Sequence, residues 1–140
     1  MRVKKINSSK EVLLNIHKYK IDWEKDGNSS LERQFRDLIY PYWKQSIVLF
    51  QCTVPGSLLK LDFLNCNKRL CVEINGPQHG QFNKFFHANS RAKYLEAMRN
   101  DFKKQRWLDE NNIQLLELIQ SDLDNFSLKY IEQTYGVNII

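Results

Sequence analysis

The stretch from residue 58 to residue 79 alternates apolar and polar residues in two runs. A period of two is typical of β-strands, whose successive side chains point to opposite faces of a sheet. Residues 66–69, Cys-Asn-Lys-Arg, separate the runs and predict the turn of a β-hairpin. The pattern therefore predicts an aliphatic face and a polar face, with Leu59, Leu61, Phe63, Leu70, Val72 and Ile74 on the first and Lys60, Asp62, Cys71, Glu73 and Asn75 on the second.

The position of this turn predicts which residues of the hairpin lie opposite each other. The expected pairs are Asp62 with Glu73, Lys60 with Asn75, and Phe63 with Val72. Opposed side chains have Cβ atoms roughly 4.5 to 5.5 Å apart, so the two carboxylates repel unless a positive charge lies between them. A divalent cation is the usual solution, and the hairpin is expected to hold a metal. The alternative is that both acids are solvated on the open face of an antiparallel sheet.

The rest of the chain predicts four helices and two further strands. A β-rich segment at 46–54 should pair with the start of the hairpin, and an apolar strand at 113–119 should join by a right-handed crossover, parallel to the strand of Glu73. The helices are expected at 8–19, from a Ser8 or Ser9 cap; at 29–40, ended with the help of Pro41; at 90–111; and from Ser121 to a Gly136 cap. These elements predict a single α/β (mixed α+β) domain over residues 1–140. Its central four-stranded mixed sheet, an antiparallel meander plus one parallel strand, is flanked by helices on both faces.

The segment 84–106 carries seven Lys or Arg residues against two acids. Such a run is usually a solvated helix face, but it is also what contact with a phosphate backbone requires. The candidate DNA-binding residues are Lys84, Arg91, Lys93, Arg99, Lys103, Lys104 and Arg106. By helical spacing, the side of the long helix that faces the sheet should carry Arg91, Tyr94 or Leu95, Met98, Asp101 or Phe102, Gln105 and Leu108.

Composition narrows the class of partner and the compartment. The net charge of +5 and the isoelectric point near 9.1 favour an anionic partner. The three cysteines form no CxxC pair, so neither a zinc site nor a disulfide framework is indicated, and reduced thiols in a cytoplasmic compartment are expected. No apolar run approaches the length of a membrane span, so no membrane association is expected.

Four segments together resemble the PD-(D/E)XK nuclease superfamily. They are Leu61-Asp62-Phe63, then Val72-Glu73-Ile74-Asn75-Gly76-Pro77-Gln78-His79, then Arg99-Asn100-Asp101-Phe102-Lys103-Lys104, then Gln114-Leu115-Leu116-Glu117-Leu118. The likeness spans roughly residues 29–120 and is greatest to the branch around very-short-patch-repair endonucleases, which includes free-standing phage homing endonucleases. It implies a restriction-endonuclease-like fold.

The resemblance also implies roles for individual residues. Asp62 and Glu73 would be metal-binding acids, and Glu32 and Asp101 would complete an acidic rim. His79 would be the active-site histidine, with Gln78 beside it. The alternative for Glu32 is an acid that complements the dipole at a helix start, and for His79 a structural histidine.

Asn75 departs from the wider pattern of the superfamily, which has Lys at that position. Lys60, expected opposite Asn75, would place an ammonium in the same volume. A neutral His79 would serve as the proton-transfer group near pH 7.

The function expected from these observations is a Mg²⁺-dependent endodeoxyribonuclease, with Mn²⁺ able to substitute. Its partner would be double-stranded DNA, and a homodimer would supply two active sites for cutting both strands. If the protein is phage-encoded, it would act in the cytoplasm of the host cell. The alternatives are a catalytically impaired nucleic-acid-binding module on the same fold, which Asn75 motivates, and an RNA-directed nuclease.

Overall fold

The computed structural model of the protein describes residues 1–25, 29–75 and 91–140. The residues Gln78, His79 and Lys84 lie outside these segments. The helices and strands are β1 (Arg2–Lys4), β2 (Glu11–Leu13), α1 (Ile16–Tyr19), α2 (Ser30–Trp43), β3 (Val48–Thr53), β4 (Lys60–Asn65), β5 (Leu70–Ile74), α3 (Arg91–Glu110), β6 (Gln114–Leu118), α4 (Gln120–Asp124) and α5 (Leu128–Tyr135).

The predicted α/β fold with a four-stranded mixed sheet is confirmed. The strand order is β3-β4-β5-β6, in which β4 is antiparallel to both of its neighbours, β3 and β5, and β6 runs parallel to β5. The expected hairpin register is also confirmed where the ladder forms, because Phe63 lies opposite Val72. Among the described helices, none is long and apolar enough to cross a membrane.

Apolar residues pack on both faces of the sheet, so the prediction of one aliphatic and one polar face is wrong. Phe63 belongs to the cluster that contains Phe35 and Trp43 of α2. Leu61, two residues earlier on the same strand, belongs instead to the cluster that contains Trp107 of α3. The alternation therefore shifts by one residue at Asp62, and helices cover the sheet on both sides.

Helix α2 begins at the predicted cap but continues beyond Pro41. The Ser29 Oγ atom accepts a hydrogen bond of 3.1 Å from the backbone N–H of Glu32, which satisfies a donor at the helix start. Trp43, in the last turn, is fully buried, and its Nε1 atom donates a hydrogen bond of 2.7 Å to the carbonyl of Ile139. This anchor holds the last turn in helical form, so Pro41 lies within the helix and does not end it.

The predicted first helix at residues 8–19 is wrong. Strands β1 and β2 form an antiparallel hairpin there, with Val3 opposite Val12, and only the short α1 is helical. The hairpin docks on the end of α3, because Trp107 Nε1 donates to the Lys4 carbonyl at 2.6 Å and the Lys4 N–H donates to Asn111 Oδ1 at 2.8 Å. These contacts with distant residues override the local helical pattern.

The predicted last helix is divided in two. Residues between α4 and α5 interrupt it, and Ser127 caps α5 by accepting a 2.9 Å hydrogen bond from the N–H of Tyr130. The predicted Gly136 cap is confirmed, with a left-handed φ of 68° that suits glycine. Beyond it the apolar tail returns to the core, where Val137 and Ile139 are buried.

Among the residues that the structure describes, the C-terminal half of helix α3 docks on the sheet. Trp107 and Leu108 are buried, as a sheet-facing surface requires. The expected inward residues of the N-terminal half are instead solvent-accessible in the described structure, with exposed fractions of 40% for Leu95, 51% for Met98 and 65% for Phe102. The predicted inward face is thus wrong at Arg91, Leu95, Met98 and Phe102, whereas Tyr94 and Asp101, the alternatives at two of these positions, are half-buried.

Candidate active site

The two acids of the central hairpin lie together where its backbone ladder stops. The ladder between β4 and β5 ends at the Phe63–Val72 pair. Beyond that pair, the Asp62 N–H donates to Glu73 Oε2 at 3.1 Å, and the Ile74 N–H donates to Asp62 Oδ2 at 2.9 Å. Carboxylates thus replace backbone carbonyls as acceptors, which opens the strands and places the two side chains side by side.

Lys104 of α3 supplies the ammonium of this site. Its Nζ atom lies 2.9 Å from Glu73 Oε1 and 3.3 Å from the carbonyl oxygen of Lys60. The sequence pattern placed Lys104 in the DNA-binding set, although its position three residues after Asp101, on the side of the helix toward the acids, could have indicated this location. The ammonium therefore comes from a helix and not from the hairpin.

The expected pair of Lys60 with Asn75 does not form. Lys60 lies at an exposed position and pairs with Thr53 of β3. Asn75 instead donates its backbone N–H to the carbonyl of Leu118 at 2.8 Å, which ties it to β6. The strands have already separated at Asp62 and Glu73, so the hairpin register cannot continue to residue 60.

Gln51 of β3 joins two of the predicted acids. Its Nε2 atom lies 3.2 Å from both Glu32 Oε1 and Asp62 Oδ1. Glu32, at the start of α2, is thereby linked to the hairpin acids. Gln51 has a φ of 52°, a left-handed conformation that costs a non-glycine residue roughly 1–2 kcal/mol. Strain of this kind is concentrated at functional sites, and no local sequence signal within the strand indicated it.

Glu117 is a further acid of the site that the sequence analysis did not single out. The parallel register of β5 and β6 places it beside Glu73. Its Oε2 atom accepts a 3.0 Å hydrogen bond from Asn75 Nδ2, and its Oε1 atom accepts one of 3.4 Å from Gln105 Nε2. Asn75 therefore orients a neighbouring carboxylate. The pairing across β5 and β6 was the signal that could have revealed this acid.

The acids and Lys104 surround a pocket of about 240 Å³. Four of its lining residues are carboxylates, namely Asp62, Glu73, Asp101 and Glu117. Burial, followed by the proximity of Asp62, raises the pKa of Glu73 to about 8, although Lys104 acts in the opposite direction. Burial lowers the pKa of Lys104, but the Glu73 carboxylate and then Asp101 outweigh that effect, so this pKa is raised. Negative charge thus exceeds positive charge in the pocket.

The donor atoms of the pocket suit a hard divalent cation. Within residues 1–25, 29–75 and 91–140, no group of three or more His, Cys, Asp or Glu side chains is arranged to hold a metal. Mg²⁺ needs fewer protein ligands, because one or two carboxylates suffice when water and substrate phosphates fill the remaining positions. Asp62 and Glu73 meet this requirement, and a divalent cation would relieve the repulsion that raises the pKa of Glu73.

The basic residues predicted to bind DNA are spread around α3. Arg91, Lys93, Arg99 and Lys103 lie at exposed positions of the helix. Arg106 forms an ion pair of 3.1 Å with Glu110 one turn later. Lys104 faces the acidic pocket, and Lys84 lies outside the described residues, as do Gln78 and His79. The structure therefore brings Glu32, Asp62, Glu73, Asn75, Asp101 and Lys104 to one region of the protein.

Comparison with known proteins finds a viral relative. The chain is 35% identical over 88 residues to the uncharacterized protein 033L of Invertebrate iridescent virus 3, and the match covers 63% of the chain. The aligned part is 43% of the length of that viral protein, so the chain spans less than half of it. No protein-family model matches the chain, and no solved structure matches it either.

Proposed function

We propose that the protein is a metal-dependent endonuclease that hydrolyses phosphodiester bonds of DNA. The observation that carries the proposal is the pair of carboxylates, Asp62 and Glu73, held together at the open end of the hairpin with the ammonium of Lys104 at 2.9 Å. Holding Asp62 beside the buried Glu73 costs stability, so a site that keeps such a pair is expected to use it. Phosphoryl chemistry is such a use, because it needs oxygen ligands for a cation next to a cationic side chain.

Each residue of the pocket has a role in this proposal. Asp62 and Glu73 would hold Mg²⁺, or Mn²⁺ in its place, which when bound supplies charge stabilisation and an activated water. Lys104 would place positive charge against the substrate phosphate. In the superfamily that the sequence resembles, a lysine at the position equivalent to Asn75 has this role. Gln51 would keep Asp62 and Glu32 in a fixed orientation through its two hydrogen bonds.

His79 remains the proposed proton-transfer group, on the strength of the sequence pattern. An imidazole titrates near neutral pH and can take or deliver a proton during hydrolysis. Replacement by alanine should remove the activity limb near neutral pH from the pH–rate profile. A limb that persists in His79→Ala would assign it to another group.

Double-stranded DNA is the proposed substrate, and a homodimer the proposed form that cuts both strands. The basic positions along α3 support an anionic polymer as partner. The relative encoded by Invertebrate iridescent virus 3 supports a viral source for the gene. Under this proposal the protein acts in the cytoplasm of the infected cell, as a free-standing homing endonuclease would.

Cleavage of supercoiled plasmid in Mg²⁺, in Mn²⁺ and in EDTA tests the proposed function. Asp62→Asn and Glu73→Gln should each abolish nicking and linearisation, because each removes a ligand charge, while duplex binding without metal stays equal or becomes tighter. Asp109→Asn, an exposed acid one turn from the pocket, is the matched control and should cut like the parent. Full activity in both pocket variants would overturn the assignment. An RNA substrate in parallel distinguishes an RNA-directed nuclease.

A nucleic-acid-binding module without catalysis is the second candidate. The Lys104 ammonium already compensates Glu73, and the Asn75 side chain bonds Glu117 in place of the missing lysine. An ion pair of this kind stabilises the fold without any metal. Duplex binding together with no cleavage over a series of divalent cations would favour this candidate.

A further inference from the structure

The first twenty residues of the chain form a second strongly basic segment. Residues 1–20 contain six Lys or Arg and one Glu, a net charge of +5, which equals the net charge of the whole chain. The remaining 120 residues carry equal numbers of basic and acidic side chains. This segment therefore carries as much net positive charge as the run at 84–106, whose seven basic and two acidic residues also give +5.

This segment is a fixed part of the fold. Val3 of β1 is buried, and the Lys4 backbone is bonded on both sides, to Trp107 Nε1 at 2.6 Å and to Asn111 Oδ1 at 2.8 Å. The turn of the hairpin is also held, because the Ile6 N–H donates to the carbonyl of Pro55 at 2.9 Å. The lysines of the hairpin therefore have defined positions relative to α3.

A cleft of about 540 Å³ lies between the hairpin turn and α3. It is lined by Lys4 and by the small polar residues Asn7, Ser8 and Ser9 on one side, and by Arg106 and Glu110 on the other. An adjoining cavity of about 210 Å³ adds Lys103 to its margin. Hydroxyl and amide groups beside cationic side chains are the groups that contact phosphate oxygens.

The cleft and the acidic pocket lie on different flanks of α3. Lys104 and Gln105 line the pocket, whereas Lys103 and Arg106, each one position away, line the cleft or its margin. A step of one residue turns a helix by about 100°, so neighbouring residues serve separate surfaces. The acids of the pocket therefore do not neutralise the cleft.

We propose that the cleft between the N-terminal hairpin and α3 binds the phosphate backbone of nucleic acid and anchors the substrate beside the pocket. The inference rests on the proposed function, which names DNA as the substrate. Two acids border the cations, but each is matched by an arginine, since Glu110 pairs with Arg106 at 3.1 Å and Glu11 with Arg2 at 4.0 Å. Lys4, Lys5 and Lys10 add three further positive charges to the same hairpin.

Salt-dependent binding of a duplex about two helical turns long tests the inference in the cleavage-defective Glu73→Gln background. The hairpin variant Lys4→Gln/Lys5→Gln/Lys10→Gln should weaken binding and lower the slope of log K against log salt by about 0.9 for each phosphate that the protein no longer neutralises. The matched control, Lys25→Gln/Lys44→Gln/Lys129→Gln, removes the same charge from exposed positions elsewhere and should leave the slope near that of the parent. Circular dichroism verifies the fold of both variants.

Two results would overturn the inference. An unchanged salt slope in the hairpin variant would show that the cleft does not contact phosphates. Equal weakening of duplex binding in the hairpin variant and the control variant would show that only the net charge of the protein matters. Both results are independent of catalysis. A parent protein that binds the duplex through the hairpin but cuts no plasmid would leave this inference standing and remove the proposed nuclease function.

Discussion

At the scale of single residues, the ammonium of the candidate site comes from Lys104 of a helix and not from the strand of Glu73. Asn75, directly after β5, lies where the nuclease superfamily that the sequence resembles has lysine, and its amide is bonded to Glu117. Lys104 reaches Glu73 from α3, across the pocket. Charge stabilisation depends on where the nitrogen lies and not on which element carries it, so a helix can supply it as well as a strand.

Lys104 should therefore be required for cleavage, and Lys60 should not. We expect Lys104→Ala to lower the rate by about 10²–10³-fold, the effect of removing one well-placed donor. Lys60→Ala should cut plasmid at close to the parental rate, because its side chain is exposed and its register with Asn75 is not formed. Single-turnover cleavage rates measure both, with Lys129→Ala, at an exposed position of α5, as a control of equal charge. Equal reductions at residues 60 and 104 would contradict this assignment.

Asp122 should contribute to stability in a pH-dependent way. Burial raises its pKa, but hydrogen bonds from the N–H of Ile119 and the hydroxyls of Tyr135 and Tyr130 outweigh that effect, so the pKa is lowered. The contribution is complete above the unfolded value of about 3.9 and is lost as pH falls through the lower folded value. Urea unfolding at about pH 6 and about pH 2 should show a smaller gap between parent and Asp122→Asn at the acid pH. A constant gap would contradict the prediction.

Some residues of the candidate site could be predicted from the sequence and others could not, depending on whether a local pattern determines their position. Asp62 and Glu73 follow from the alternation of one hairpin, whose local register is set by a four-residue turn. Gln51 and Glu117 reach the site from β3 and β6, so their proximity depends on which strands are neighbours. The left-handed backbone conformation of Gln51 within its strand cannot be predicted from the pattern of hydrophobic residues.

At the scale of elements, local signals predicted α2, the central hairpin and the sheet, because caps, turns and alternation lie within each segment. They failed where distant contacts decide the conformation. Residues 11–13 pair with the first strand because that strand packs on Trp107 and Asn111, which lie about one hundred residues away in the sequence. A helical spacing of apolar residues cannot report such a contact.

Two aromatic residues of α3 should differ sharply in their contribution to stability. Trp107 is buried and its indole N–H is bonded to Lys4, so Trp107→Ala should lower the free energy of unfolding by about 3–5 kcal/mol. Phe102 is 65% exposed, and Phe102→Ala should change it by no more than about 0.5 kcal/mol. Chemical denaturation of the two variants measures the contrast. A comparable effect at Phe102 would show that this side chain is covered in solution.

At the scale of the whole molecule, the N-terminal hairpin and the C-terminal tail both pack on the core. The N-terminal hairpin covers Trp107 on one face of the sheet, and the C-terminal tail covers Trp43 on the other. Each of these segments contributes buried apolar side chains to one of the two hydrophobic clusters that cover the faces of the sheet.

Removal of residues 137–140 should destabilise the whole fold and not only the tail. Val137 and Ile139 are buried, and burying an aliphatic side chain of this size is worth about 1.5–3 kcal/mol. We therefore expect the free energy of unfolding to fall by about 3–6 kcal/mol, measured by urea unfolding of the truncated protein. Asn138→Ala, at an exposed position between the two, is the control and should unfold like the parent. An unaltered midpoint after truncation would show that the tail does not belong to the core.

The position of Lys104 on α3 also has a consequence for the chain while it is being synthesised. Glu73 and Lys104 are separated by 31 residues, so a growing chain presents both hairpin acids to solvent well before their cationic partner leaves the ribosome. Under the proposed function, such a chain has the carboxylates of the pocket but lacks the ammonium that lies beside them in the folded protein. If the protein is the proposed nuclease, a nascent chain would therefore gain cleavage activity only once the helix is complete and seated against the sheet.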